Sequence, residues 1–123
     1  MKRILIVDDA ATIRMYHRNI LEGAGYIVEE AMNGIEAIEK ALRAPFDLYI
    51  VDINMPKLDG YGFMKNLRGE DILQAPAIMV STESSSRDLE AAYKAGANGY
   101  LVKPIKPEQL LTYARLLLGE EEA

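Results

Sequence analysis

Carboxylate side chains end two apolar runs of this sequence. Asp8 and Asp9 directly follow the run at residues 4–7, and Asp52 directly follows the run at residues 48–51. Unbroken runs rich in Ile, Leu and Val are typical of parallel strands that are buried on both faces. Because the carboxyl ends of parallel strands meet at the same edge of a sheet, we expect the three carboxylates to lie close together. Their mutual repulsion would raise the pKa of at least one of these carboxyl groups.

A divalent cation would relieve this repulsion. An oxygen-only set of ligands, without His or Cys, suits a hard ion, and we expect Mg²⁺. Ser81 and Lys103 stand at the ends of two later apolar runs and would bring a hydroxyl group and an ammonium group to the same edge. Phosphoryl transfer depends mainly on positioning and charge neutralisation, and a carboxylate can accept the group as an aspartyl phosphate. The side chains at this edge therefore suit the transfer of a phosphoryl group to a carboxylate.

The elements that must position these side chains alternate between two patterns. Apolar runs predict five strands, at about residues 4–7, 26–31, 46–51, 77–81 and 99–102. Amphipathic segments predict five helices, at about residues 11–22, 35–42, 61–67, 84–96 and 107–117. This alternation predicts an α/β fold, a single doubly wound parallel sheet with helices on both faces, because parallel strands need right-handed crossovers.

The composition is that of one compact domain with a hydrophobic core, since 50% of the 123 residues are hydrophobic. The net charge of -5 argues against binding to nucleic acid, which requires a basic surface. The absence of cysteine excludes disulfides and thiolate metal sites. No apolar run approaches the ~20 residues of a membrane span, and the run before Asp8 is too short for a signal peptide. We therefore expect a monomeric, cytoplasmic protein that binds neither nucleic acid nor a membrane.

Four segments together resemble the receiver domain of two-component response regulators. They are Asp8-Asp9, Asp52-x-x-Met55-Pro56-x-x-Asp59-Gly60, Ser81-x-Glu83 and Gly99-Tyr100-x-x-Lys103-Pro104. The resemblance covers essentially the whole chain, and stand-alone CheY-like receivers are the nearest subgroup because no length remains for an output domain. It implies a flavodoxin-like fold with strand order 2-1-3-4-5. It also implies a receiver domain over residues 1–119, followed by an acidic tail at residues 120–123.

The resemblance implies that Asp52 is the phosphoryl acceptor. It also implies a Mg²⁺ site made by Asp8, Asp9, Asp52 and the backbone carbonyl of Asn54, in which Asp9 holds the ion directly and Asp8 acts mainly through water. Lys103 would pair with Asp52 and then with the phosphoryl oxygens. Such a protein promotes its own phosphorylation and dephosphorylation but has no turnover on a separate substrate, so we do not expect an enzyme.

Ser81 and Tyr100 would be the switch residues, with the Ser81 hydroxyl turning toward the phosphoryl group while Tyr100 moves inward. This population shift would repack the face made by the fourth helix, fifth strand and fifth helix. A sensor histidine kinase would supply the phosphoryl group, and a downstream target would bind that face. In chemotaxis the target would be a flagellar motor switch protein, and a phosphorelay shuttle or a phosphate sink are the alternatives. The bond between Lys103 and Pro104 would be cis.

Other functions fit parts of the pattern. A small Mg²⁺-dependent phosphatase also uses an aspartyl phosphate, but such enzymes usually separate the first two acidic residues by one position and carry a cap domain. Asp8 and Asp9 are adjacent, and the length leaves no room for a cap. A pure interaction module would never accept phosphate. A flavin-binding domain would need a phosphate-binding loop after the first strand, and none is present.

Some residues near these motifs have structural explanations. Asp8 and Asp9 could cap the first helix. Asp59 could shape the turn at Asp59-Gly60 rather than bind metal. Thr82 could restrict access to Asp52. His17 is the only histidine and falls on the apolar side of the first helix, away from the acidic edge. We expect it to be partly buried and hydrogen-bonded, and not to donate a phosphoryl group.

Overall fold

The computed structural model describes residues 1–120, in which five strands and five helices alternate. The strands are β1 (Arg3–Val7), β2 (Ile27–Ala31), β3 (Leu48–Asp52), β4 (Ala77–Ser81) and β5 (Gly99–Val102). The helices are α1 (Ala11–Gly23), α2 (Gly34–Arg43), α3 (Gly60–Gly69), α4 (Ser86–Lys94) and α5 (Pro107–Leu117). All neighbouring strands are parallel and their order is β2-β1-β3-β4-β5, which confirms the predicted fold. Within residues 1–120, no helix combines the length and the apolar character needed to cross a bilayer.

The sheet is covered on both faces, which explains the unbroken apolar runs. In β3, Tyr49 and Val51 belong to one hydrophobic cluster, and Leu48 and Ile50 belong to the other. Side chains of α2, α3 and α4 complete the first cluster, and side chains of α1 and α5 complete the second. The polar residues that follow the strands are thus held at the edge of a rigid, doubly covered sheet.

Side-chain caps define where three of the helices begin. The Oδ1 atoms of Asn33 and Asp59 accept hydrogen bonds from the backbone N–H of Glu36 and Gly62, at 2.9 and 2.8 Å. The Ser85 hydroxyl accepts one from the N–H of Asp88 at 3.2 Å. Asp59 therefore shapes the start of α3, as predicted. Each of the three caps stabilises its own helix by about 1 kcal/mol.

Two strands begin later in the structure than the sequence predicts, β2 at Ile27 and β3 at Leu48, and a different partner of the preceding residue explains the first difference. The N–H of Tyr26 donates to the carbonyl of Leu21 at the end of α1, so β2 begins at Ile27. The Tyr26 hydroxyl donates to Glu120 Oε1 at 2.5 Å, which ties the first residue of the expected acidic tail to the domain. Residues 121–123 of that expected tail lie outside the described residues.

Arg68, at the end of α3, connects three segments at the amino ends of β4 and β5. Its guanidinium donates two hydrogen bonds to the carbonyl of Gly96, at 3.1 and 3.0 Å. Further bonds reach the Ala75 carbonyl and the side chains of Gln74 and Asn98, at 2.8, 2.8 and 3.0 Å. Arg68 therefore holds three segments together, which are the end of α3, the loop before β4 and the loop after α4. They lie at the amino ends of the strands, opposite the edge that carries the acidic residues.

Lys57, in the loop between β3 and α3, has a φ of 69°, a conformation that L-residues with a Cβ adopt rarely. Asn tolerates this region much better than Lys. We therefore expect Lys57→Asn to raise the free energy of unfolding by about 0.5–1 kcal/mol, measured by urea denaturation. Lys65→Asn, on the exposed side of α3, is the control and should slightly lower it, because Asn is a poorer helix former than Lys. A Lys57→Asn variant no more stable than the wild type would contradict the prediction.

Candidate functional site

The structure brings Asp8, Asp52 and Lys103 together at the carboxyl edge of the sheet. Val7 and Val51 are paired on the neighbouring strands β1 and β3, so the two carboxylates lie side by side. Lys103 Nζ donates to Asp8 Oδ2 and to Asp52 Oδ1, each at 3.2 Å. Both carboxylates are buried, with exposed fractions of 3% and 5%. One ammonium group thus lies between two buried carboxylates.

A third carboxylate belongs to the same cluster. One oxygen each of Asp8, Asp9 and Asp52 lie within 4.8 Å of one another, and Asp9 is exposed. Neither Asp8 nor Asp9 caps α1, because the N-cap residue is Ala10, which makes no side-chain cap. Asp8 Oδ1 instead accepts a hydrogen bond from the N–H of Ala10 at 2.9 Å. A cluster of oxygen donors with more negative than positive charge fits a hard divalent cation such as Mg²⁺.

The pKa values reflect this crowding. Burial, together with repulsion from Asp8, raises the pKa of Asp52 to about 6, although the positive charge of Lys103 opposes the shift. Burial alone would lower the pKa of Lys103, but attraction to Asp8 and Asp52 outweighs it, so the pKa is raised. Lys103 therefore stays charged near neutral pH, while the Asp52 carboxylate is poorly stabilised without a further cation.

Gly60, at the end of the loop between β3 and α3, packs directly against the backbone of Asp52 and Ile53. Its N–H donates to the carbonyl of Ile53 at 2.8 Å. A Cβ at this position would lie 2.6 Å from the Asp52 carbonyl oxygen and 2.7 Å from the Ile53 Cα. The sequence predicted that Gly60 shapes this loop, but the direct contact with the backbone of Asp52 requires the three-dimensional structure.

Ser81 and Tyr100 both bind the backbone of Glu83. The Ser81 hydroxyl accepts a hydrogen bond from the N–H of Glu83 at 3.0 Å, and the Tyr100 hydroxyl donates to the Glu83 carbonyl at 2.8 Å. Tyr100 is only 9% exposed, so its ring points inward. The two side chains named as switch residues thus bind the same residue, Glu83, which the Ser81-x-Glu83 spacing alone did not predict.

Comparison with known proteins agrees with this geometry. The family model of the response regulator receiver domain matches residues 4–115. The chain belongs to this family. Chemotaxis protein CheY1 of Helicobacter pylori is 37% identical to the receiver in an alignment of 123 positions that covers 98% of this chain and 99% of that protein. A solved structure of chemotaxis protein CheY4 of Vibrio cholerae has a TM-score of 0.91 and 40% identity, and the match covers 95% of this chain and 98% of that one.

The receiver also resembles part of a longer protein. Transcriptional regulatory protein ResD of Bacillus subtilis is 36% identical over 116 residues, which are 94% of this chain but 48% of that protein. The receiver spans about half the length of that relative. Receivers are signalling switches, not classical substrate-turnover enzymes, and they interact with histidine kinases and downstream targets. They generally bind Mg²⁺ at an acidic pocket such as the one formed by Asp8, Asp9 and Asp52.

A cavity of about 320 Å³ lies beside the acidic pocket of the receiver. It is lined by Ile13, Tyr16, His17, Thr82, Lys103, Pro104 and Ile105. Thr82 lines this cavity, and its effect on access to Asp52 stays a prediction. The Lys103–Pro104 bond at the cavity wall is cis, as the resemblance implied.

The position of His17 differs from the prediction. The side chain is buried, as expected, but it lies beside Lys103 and not away from the acidic edge. The reason is that α1 lies against the loop after β5, so His17 lines the same cavity as Lys103 and Pro104. Burial lowers the pKa of His17, and Lys103 adds to this effect while Asp8 opposes it. Within residues 1–120 the structure describes no hydrogen bond to the imidazole, so that part of the prediction is not confirmed.

Proposed function

We propose that this receiver is a phosphoacceptor switch that takes a phosphoryl group from a histidine kinase onto Asp52. The observation that carries the proposal is the buried Asp52 carboxylate, held 3.2 Å from Lys103 within the acidic cluster. An oxygen of Asp52 attacks the phosphorus of a phosphohistidine, and a new O–P bond forms as the P–N bond breaks. The imidazole leaves with the electron pair of that bond and regains a proton from water.

Four groups would hold the metal ion, which are the carboxylates of Asp8, Asp9 and Asp52 and the backbone carbonyl of Asn54. When bound, Mg²⁺ supplies positive charge that neutralises the phosphoryl oxygens. Lys103 supplies a second positive charge and orients the Asp52 carboxylate through its hydrogen bond. Ser81 would release the N–H of Glu83 and turn its hydroxyl toward a phosphoryl oxygen.

The signal would leave the site through Ser81 and Tyr100, because both side chains bind the backbone of Glu83. A shift in that contact would change the packing of α4, β5 and α5. Tyr93 and Val102 already expose apolar surface on this side, at 49% and 37%. A partner that prefers one arrangement would be controlled with a coupling free energy of about 1–3 kcal/mol.

The partner would belong to a chemotaxis pathway, and a flagellar motor switch protein is the expected target. The support is the match to two proteins named as chemotaxis proteins over nearly their full length. A phosphorelay shuttle or a phosphate sink would use the same acceptor without that target. We place the receiver in the cytoplasm, as a monomer that meets kinase and target in turn.

Incubation of the purified receiver with acetyl phosphate and Mg²⁺ tests the proposal. We expect one phosphoryl group per chain by intact-protein mass spectrometry, and none when EDTA removes the metal ion, because the acidic cluster lacks enough positive charge without it. Absence of labelling at saturating Mg²⁺ and acetyl phosphate would contradict the proposed function. Sustained release of phosphate from many phosphate monoesters would instead identify a phosphatase.

A further inference from the structure

Leu58 lies in a tight space between two glycines of different helices. It belongs to the loop between β3 and α3, and its side chain packs against the hydrophobic cluster on that face of the sheet. A Cβ on Gly34, the first residue of α2, would lie 2.6 Å from the Leu58 carbonyl oxygen and 2.9 Å from its Cβ. A Cβ on Gly62 in α3 would lie 2.6 Å from Leu58 Cδ1. At Gly34 the close atom belongs to the Leu58 backbone, so a Cβ there would force the loop to shift, whereas at Gly62 it is the end of a flexible side chain that could move aside.

Backbone conformation does not explain these two glycines. Among the glycines of residues 1–120, φ is positive at Gly25, Gly96 and Gly119, and neither Gly34 nor Gly62 is in this set. Glycine within a helix costs about 1 kcal/mol relative to alanine. The close approach to Leu58 therefore explains why glycine occupies positions 34 and 62 despite this cost.

Leu58 lies on the segment that carries Asn54. Gly60 closes the base of this segment through the 2.8 Å hydrogen bond to the carbonyl of Ile53. Leu58, at the other end of the stretch that starts at Ile53, packs against α2 and α3. The segment between these two points includes the backbone carbonyl of Asn54, which the proposed function assigns to Mg²⁺, and it is thus fixed at both ends.

We propose that Leu58, seated between Gly34 and Gly62, is a positioning residue for the Mg²⁺ site. It holds the loop in one conformation, so that the Asn54 carbonyl needs no rearrangement when the ion binds. The first turn of α2 becomes part of the support of the metal site, although the proposed ligands lie outside that helix. This inference rests on the proposed function, because the proposed function supplies the role of Asn54.

Single substitutions that fill or empty this space test the inference. The readouts are the Kd for Mg²⁺ of the unphosphorylated protein, from isothermal titration calorimetry, and the midpoint of urea denaturation. We expect Gly34→Ala and Leu58→Ala to weaken Mg²⁺ binding about tenfold, as changes to groups that support metal ligands commonly do. Gly69→Ala is the matched control, because a Cβ there has nothing within 4 Å, and its Kd should equal that of the wild type.

Double variants separate the two contacts. A Cβ on Gly62 would lie 2.6 Å from the end of the Leu58 side chain, and its next neighbour is Asp59 Oδ1 at 3.3 Å. Gly62→Ala should therefore have a much smaller effect on the Kd in a Leu58→Ala background than in the wild type. A Cβ on Gly34 meets the backbone oxygen of Leu58, so Gly34→Ala should still weaken binding in that background. If Gly34→Ala does not fold, Leu58→Ala and the Gly62 pair carry the same test.

Unchanged Mg²⁺ binding in the folded variants, with a lowered urea midpoint, would overturn the inference and leave Leu58 a purely structural residue. That result, with normal phosphorylation of the wild type by acetyl phosphate, would leave the proposed function intact. Wild-type protein that binds Mg²⁺ but is never phosphorylated would contradict the proposed acceptor while the binding series still tests Leu58. Wild-type protein that binds no Mg²⁺ would overturn both.

Discussion

Replacing Asp52 with Asn should abolish phosphoryl incorporation from acetyl phosphate and, at the same time, stabilise the metal-free protein. The loss of labelling follows because the amide oxygen that replaces the proposed acceptor carboxylate is a poor nucleophile, although the amide oxygen can still accept the hydrogen bond from Lys103. The gain in stability follows from burial and the nearby charge of Asp8, which raise the pKa of Asp52 from 3.8 to about 6. We expect the free energy of unfolding at neutral pH in EDTA to rise by about 1–3 kcal/mol.

The pH dependence of this gain has a definite sign. The folded-state pKa of Asp52 is raised, so the stability that its protonated form provides is fully present at low pH and is lost as the pH rises through about 6. The difference between the Asn variant and the wild type should therefore be largest at neutral pH and should shrink as the pH falls toward 4. Urea denaturation at several pH values measures it.

Asp71→Asn is the control for this experiment. Asp71 is exposed in the loop before β4, so its replacement by Asn should leave labelling intact and change the free energy of unfolding by less than about 0.5 kcal/mol. Labelling that persists in the Asp52→Asn protein would place the acceptor elsewhere. A metal-free Asp52→Asn protein less stable than the wild type would show that the pairing with Lys103 outweighs the cost of burial.

Replacing Gly60 with Ala should lower the free energy of unfolding by about 2–4 kcal/mol. The new Cβ would lie 2.6 Å from the Asp52 carbonyl oxygen and 2.7 Å from the Ile53 Cα, and both are backbone atoms at the end of the buried strand β3. Backbone held by a sheet cannot move aside as a flexible side chain can. The substitution should therefore distort the end of β3, which carries Asp52. Labelling by acetyl phosphate should slow as well.

Gly23→Ala provides the comparison for Gly60→Ala. Gly23 ends α1, and a Cβ there has nothing within 4 Å, so the substitution should be neutral or should stabilise by up to about 1 kcal/mol. Urea denaturation of the two variants side by side gives both values. Equal stability of Gly60→Ala and the wild type would show that the end of β3 can shift without cost.

The parts of the fold that the sequence predicted are those that depend on local pattern. Burial of β1, β3 and β4 on both faces leaves runs of Ile, Leu and Val, and the polar residue after each run marks the edge where Asp8, Asp52 and Ser81 meet. The strand order, by contrast, came from the resemblance to receivers and not from periodicity. No residue pattern within a single strand states which strand is its neighbour.

The features that the sequence did not predict are contacts between segments far apart in the chain. The approach of Gly34 to Leu58 depends on the angle at which α2 meets a loop that is distant in sequence. The position of His17 depends on how α1 lies against the loop after β5. The hydrogen bonds of Arg68 to the loop before β4 and to the loop after α4 likewise could not be predicted from the sequence, because most arginines lie on protein surfaces.

The bonds of Arg68 to Gly96 also determine how α4 can move. Gly96 comes two residues after the end of α4, and its carbonyl accepts two hydrogen bonds from Arg68. The other end of the helix begins at the Ser85 cap, close to Glu83 and its hydrogen bond from Tyr100. If the proposed switch displaces Glu83, we therefore expect the start of α4 to move farther than its end, which Arg68 holds at Gly96. A small movement of the backbone at Glu83 would then change the surface most at the start of α4.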